Sequence, residues 1–313
     1  AEKLKKENSL DYKPEQIIVN IGAKHSVYES MQAVLDPGDE VILPGREYPA
    51  NVYPWMNLKN LGVQVKLLQD QDGAYPVSLF EEAVNERTRL IAVSFVQFSN
   101  GYRTDLEALG RLCRSRGIYL MVDAIQGLGV LPLDVRRMRI DFLSTSSYKW
   151  MLGPQGAGML FIRRELLEQV KPTWVGAGSV VNAGNYLDYD LSFPLSARRY
   201  ETGTQSTISL VGAAAALELI EELGLAYIQD RIRMLTDLLA DGARRKGYEI
   251  FSPWGQAERS GILSIAKPGV DSEELQQRLK EKAILTTVRE GRLRLAPHCY
   301  NSEEEMARVV DEL

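Results

Sequence analysis

Through its first two-thirds the chain alternates short apolar runs with stretches of helical periodicity. IIVNIG, from Ile17 to Gly22, reads as a strand end, and a helix is expected from about Lys24 to Leu35. Asp36-Pro37-Gly38-Asp39 has turn chemistry, and the next strand is expected in EVILPG. VQVKLLQ, LIAVSFV and IYLMVDA are further apolar runs of strand length, each flanked by helical stretches, and FLSTSS and GAGMLFIRR follow. Nearly continuous apolar strands alternating with helices predict an α/β fold, with a mainly parallel central sheet covered by helices on both faces. Ligands of such sheets bind beyond the carboxyl ends of the strands, so chemistry is expected just after these runs.

From about Ser209 the pattern changes. VGAAAALELIEEL and IQDRIRMLTDLLADGARRKG predict long helices that lead into GILSIAK. The helix DSEELQQRLKEK, strands in ILTTV and RLRLAP, and a last helix after Asn301 complete a smaller α+β unit. The expected division is a large domain over residues 1–220 and a small C-terminal domain over 221–313. The opening AEKLKKENSLDY reads as the middle of an amphipathic helix, which points to a missing or processed segment before it.

Composition narrows the function more than the fold. A chain of 313 residues, 45% apolar and 25% charged, has room for two domains and a large core. Its net charge of -5 argues against binding a nucleic-acid backbone but leaves room for a local basic pocket. Cys113 and Cys299 form neither a disulfide framework nor a metal spacing, and Cys113, in LGRLCRSRG, reads as a buried thiol. His25 and His298 are too few for a histidine-based zinc site. No apolar run approaches the ~18 residues of a membrane span and no signal-peptide pattern opens the chain, so a cytoplasmic protein without membrane contact is expected. Neither the dinucleotide glycine fingerprint nor a P-loop is present, which sets aside a nucleotide-binding α/β protein.

The chemistry concentrates around SSYKWMLGPQGAGMLF. Lys149 follows a Ser-rich strand end and precedes a Gly-rich turn, where a lysine can lose solvent and some of its preference for charge. A Schiff-base amine needs that environment, although alone Lys149 would read as a surface lysine. Asp123 ends the run in MVDAIQ, 26 residues earlier. A carboxylate there can hold a pyridinium nitrogen protonated, so that the ring draws electrons from a carbanion; alone it reads equally as a helix N-cap. The two together point to pyridoxal 5'-phosphate (PLP).

Asp123-Ala124-Ile125-Gln126, Ser146-Ser147-Tyr148-Lys149 and Gly153-Pro154-Gln155-Gly156 resemble the class V aminotransferase and cysteine desulfurase group of fold-type I PLP enzymes. The resemblance runs on through Glu201-Thr202-Gly203-Thr204 and from Arg294 to Asn301, and covers roughly residues 40 to 313. Asn20-Ile21-Gly22-Ala23-Lys24 and the run from Leu35 to Val41 are closer to class I, aspartate-aminotransferase-type enzymes, which share the fold.

The resemblance implies roles for single residues. Gly22, Ala23 and Lys24 would open a helix whose N–H groups hold the cofactor phosphate, as helix N-termini favour anions. Ser146 would donate to the same phosphate, beside Tyr148 where desulfurases carry His. Tyr48 would stack on the pyridine ring, worth about 1 kcal/mol, and Gln126 would hydrogen-bond its phenolic oxygen. Arg294 would take the substrate α-carboxylate bidentately, with Arg292 a weaker candidate on the same strand face. Gly203 and Thr204 would reach the phosphate of a neighbouring subunit, which implies a homodimer with shared active sites. Phe98 stands where relatives carry an Asn that contacts cofactor and substrate, so it is expected to line the pocket instead.

The expected reaction is transamination between a small amino acid and a keto acid, with Lys149 as Schiff-base lysine and proton carrier and Asp123 behind the ring. Persulfide-type desulfuration is disfavoured, because residues 284–291, ahead of Arg294, contain no Cys. Epimerisation, C–S lysis and kynureninase-like cleavage share the first steps, and a non-catalytic PLP-fold protein is the alternative of another class.

Overall fold

The computed structural model describes residues 34–313 and the backbone of the strand Ile18–Asn20. The helix expected from Lys24, the opening segment, and Gly22, Ala23 and Lys24 lie outside the described residues. The central sheet comprises β1 (Ile18–Asn20), β2 (Glu40–Pro44), β3 (Gln64–Leu68), β4 (Thr88–Ser94), β5 (Tyr119–Asp123), β6 (Phe142–Ser146) and β7 (Gly158–Ile162). Its order is β1-β7-β6-β5-β4-β2-β3. From β3 through β2, β4 and β5 to β6 every pairing is parallel. β7 runs antiparallel to both β6 and β1. The segment 147–157 between β6 and β7 contains no crossover helix, and without one a chain returns to its neighbour antiparallel.

Through β2, β4, β5 and β6 both faces of this sheet are buried, which explains their continuous apolar runs. Ile42, Ile91, Val93, Leu120, Val122 and Leu143 enter one core. Their neighbours in sequence, Val41, Leu43, Leu90, Ala92, Met121 and Phe142, enter another on the opposite face. The helices are α1 (Tyr53–Asn57), α2 (Val77–Ala83), α3 (Leu106–Arg116), α4 (Thr207–Leu223), α5 (Leu225–Arg245), α6 (Ser272–Glu281) and α7 (Glu303–Glu312). α3 approaches its neighbour so closely that a Cβ on Gly110 would lie 1.9 Å from the Met138 carbonyl oxygen.

A second, fully antiparallel sheet has the order β10-β11-β9-β8, from β8 (Glu249–Ile250), β9 (Leu263–Ala266), β10 (Thr287–Arg289) and β11 (Arg292–Leu295). Leu263, Ile265, Leu293 and Leu295 form a third core with Leu235 and Leu239 of α5. Each such burial contributes about 2 kcal/mol. One turn earlier on α5, Ile228 and Ile232 belong to the first core, so this amphipathic helix joins the two sheets.

The strand expected in ILTTV starts later than its composition suggests, at Thr287. Ala283 is left-handed at φ 57°, and the Ile284 N–H donates back to Leu279 at the end of α6, so these residues close the helix rather than extend. Residues 171–196, after β7, hold no helix or strand beyond turns and expose Tyr186, Leu187 and Tyr189. No helix among the described residues is long and apolar enough to cross a membrane.

Candidate active site

Three adjacent strands deliver polar side chains at one level of the sheet, because Ser94 of β4 is in register with Asp123 of β5, and Asp123 with Ser144 of β6. Asp123 is buried, and its Oδ1 accepts the Ile125 N–H at 3.0 Å. Burial pushes its pKa up, and only that hydrogen bond and the positive charge of Lys149 oppose the shift. A second cation beside this carboxylate would therefore be stabilised.

Lys149 sits in the tight turn after β6. The Ser147 hydroxyl donates to the Pro154 carbonyl at 2.6 Å, the Gly153 N–H to the Ser147 carbonyl at 2.8 Å, and Leu152 is left-handed at φ 58°. Gly153 has no room for a side chain, since a Cβ would lie 2.6 Å from the Ser147 Cβ. The turn presents the Lys149 ammonium 5.6 Å from the centre of the Tyr48 ring and 6.0 Å from that of Tyr148. Phe98 meets Tyr48 edge-on, with centroids 5.3 Å apart.

Tyr48 is held by its neighbour. The buried Glu47 carboxylate accepts the Ser94 N–H and hydroxyl and, at 2.9 Å, the Gln97 amide, which fastens the loop after β2 to the end of β4. Burial raises the Glu47 pKa against these bonds.

On the other wall Gln126 accepts the Trp150 indole N–H at 3.0 Å. An indole only donates, so the carboxamide oxygen is committed and its NH2 is left for a cleft acceptor. Trp150 stacks on His298 and His298 on Tyr300, at 5.3 and 5.0 Å. The Cys299 N–H donates to His298 Nδ1 at 2.9 Å, so Nε2 carries the proton and donates to the Trp150 carbonyl at 3.1 Å. Burial lowers the His298 pKa and favours this neutral form.

Arg294, on β11, closes the cleft from the second sheet. Leu293 and Leu295 turn into the third core, which leaves Arg294 on the opposite strand face. Its Nε is buried without a hydrogen-bond partner, and it pairs with no carboxylate among the described residues. Burial, reinforced by the charge of Arg289, lowers its pKa to about 10.

These groups surround one cleft of about 490 Å³, lined by Tyr48, Phe98, Gln126, Tyr148, Lys149, Trp150, Arg289, Arg294, Ala296, His298 and Tyr300. Of the residues singled out in the sequence, Lys149, Tyr48, Tyr148, Phe98, Gln126 and Arg294 line this one cleft, with Asp123 buried behind them. Ser146 is buried at the carboxyl end of β6. Gly203 and Thr204 are exposed and stand apart from this cleft. Arg292 is also outside it, its guanidinium 4.0 Å over the Phe251 ring and 3.5 Å from Glu290. Glu47, Arg289, Trp150, His298 and Tyr300 are additions. Glu47 adjoins Tyr48 and Trp150 adjoins Lys149, but their partners lie too far along the chain to be read from sequence.

A buried carboxylate in need of a cation, an amide N–H left for an oxyanion, a lysine at an aromatic ring and an unanswered guanidinium together fit an aromatic aldehyde cofactor and a carboxylate substrate.

The profile of the family Aminotransferase class-V matches residues 12–308. The uncharacterized aminotransferase YcbU of Bacillus subtilis is 30% identical over 295 residues, covering 93% of this chain and 72% of the relative. A probable cysteine desulfurase of Methanothermobacter thermautotrophicus is 29% identical over 299 residues, covering 88% and 72%. In structure, a C-DES variant with glycine covalently linked to its PLP cofactor superposes with a TM-score of 0.90 at 20% identity, over 99% of this chain and 83% of that one.

Proposed function

The chain belongs to the class V aminotransferase family, and from that premise we propose that it transfers amino groups between a small amino acid and a keto acid. The cofactor is pyridoxal 5'-phosphate. When bound, it supplies an aldehyde that takes the amino group and a ring that draws electrons from the bond being broken.

The remaining work falls to the chain's own side chains. Asp123, Gln126 and Tyr48 would hold the cofactor ring: Asp123 would keep the proton on its nitrogen, Gln126 would donate to its phenolic oxygen, and Tyr48, fixed by Glu47, would pack against it. Ser146 and Tyr148 would serve the phosphate together with Gly22, Ala23 and Lys24. Gly203 and Thr204 would complete a second copy's site. The exposed Tyr186, Leu187 and Tyr189 in the segment just before them support such a homodimer. Arg294 clamps the substrate α-carboxylate and so aims the Cα–H bond at the lysine. Lys149 Nζ would hold the cofactor and, once free, would carry the proton taken from the substrate Cα. Water is kept from that proton by the aromatic walls Phe98, Tyr148 and Trp150.

The observation that carries this reading is Arg294, a half-buried arginine whose Nε is buried without a hydrogen-bond partner, on the same cleft as the sole lysine among its described lining residues. Its test is the visible absorption spectrum of the PLP-incubated, desalted protein. The expected band is lost in Lys149→Ala, is bleached by an amino acid and is restored by a keto acid. A folded protein that retains no band would overturn the reading.

Cysteine desulfuration is the second reading, favoured by relatives such as the archaeal desulfurase. Against its persulfide form, residues 284–291 carry no thiol, and Cys299 has its Sγ 3.2 Å from His298 Nδ1 and a pKa raised by burial. Sulfide release from cysteine under reducing conditions, lost in Cys299→Ser, would favour it over transamination.

A further inference from the structure

The cleft carries more positive charge than one substrate carboxylate answers. Lys149, Arg289 and Arg294 line it, and no Asp or Glu is among the lining residues. On the reading above, the cofactor occupies Lys149 and the α-carboxylate occupies Arg294, which leaves Arg289.

Strand geometry brings the two arginines to one face. β10 and β11 are antiparallel, with Thr287 opposite Arg294 and Arg289 opposite Arg292. Directly opposed residues share a face, and so do residues two apart, so Arg289 lies on a diagonal from Arg294 at roughly 7–8 Å between their backbones. They are close enough for Arg289 to act on the charge of Arg294. Among the described residues Arg289 pairs with no carboxylate, and its Nη1 donates to the Val288 carbonyl at 2.8 Å. The adjacent Glu290 is committed elsewhere, to Arg46 and Arg292. Two like charges converging at one opening, with the nearby carboxylate drawn away, suit a ligand with two negative ends.

We infer that the substrate carries a second anionic group received by Arg289, and that the preferred pair is therefore a dicarboxylic amino acid and its keto acid. This rests on Arg294 taking the α-carboxylate. The apolar walls Phe98 and Trp150 then flank the chain between the two carboxylates. Arg289 is exposed at the rim, so its contribution falls with added salt.

The test is calorimetric titration of the cofactor-loaded protein with glutarate and with butyrate, which differ by the second carboxylate. Glutarate should bind about five- to tenfold more tightly, the range of a partly exposed charge-assisted hydrogen bond. Arg289→Gln, on an exposed strand position, should remove that advantage and alter butyrate affinity less than glutarate affinity. In turnover, the same variant should lower kcat/KM for glutamate by more than for 2-aminobutyrate. Equal affinities in the parent protein, or an advantage that survives Arg289→Gln, would overturn the second site. If butyrate binding still depends on Arg294, the α-carboxylate reading stands without it. If neither acid binds and Arg294→Gln changes nothing, both fall.

Discussion

Asp123 illustrates a residue kept against its own stability. A carboxyl whose folded pKa lies above the unfolded one takes up a proton on folding. Stability therefore declines as pH rises between the two values, and the loss is complete above them. Burial raises Asp123 in this way, so Asp123→Asn should melt a few degrees higher than the parent in cofactor-free protein near pH 8. The gap should close as pH falls, while cofactor retention and turnover collapse in the same variant. Thermal melts across pH, with and without PLP, would check both signs; a lower melting point at pH 8 would contradict the first. Lys149 and Asp123 were legible as two charges beside apolar runs that make sense together, and Arg294 through the family resemblance. Glu47 was not, since the group that buries it, Ser94, is 47 residues away. Nor was Arg289, whose meaning depends on a register between β10 and β11 that no local pattern encodes.

Among elements, α7 shows how a helix start can steady the site. Ser302 and Glu305 form a capping box, the Ser302 hydroxyl accepting the Glu305 N–H at 3.1 Å and the Glu305 carboxylate the Ser302 N–H at 2.9 Å. The residues just before it carry the stack of Trp150, His298 and Tyr300, and Arg231 of α5 grips both Asn301 and Glu303. Ser302→Ala should cost about 1 kcal/mol in denaturant unfolding, with an unchanged slope. A loss under a few tenths would mean the cap is replaced by solvent. Helix positions were legible from periodicity and caps. The strand in ILTTV was misplaced because β-branched composition masks a helix end that borrows Ile284. The reversed β7 was not foreseen because apolar runs do not record direction.

At the scale of the whole molecule, the alternation of apolar runs was enough to anticipate two buried sheet faces and a separate smaller sheet. It could not foresee that α5 belongs to two cores at once, since both demand the same amphipathic stripe. The guanidinium of Arg294 has a consequence at this scale too. Any small anion that settles on it binds the folded chain and not the unfolded one, so buffer composition becomes a stability variable. Acetate at about five times its dissociation constant should add about 1 kcal/mol over chloride at equal ionic strength, read as a higher Tm, and Arg294→Gln should erase the difference. A carboxylate buffer chosen for storage would then protect the protein and inhibit it through one and the same contact.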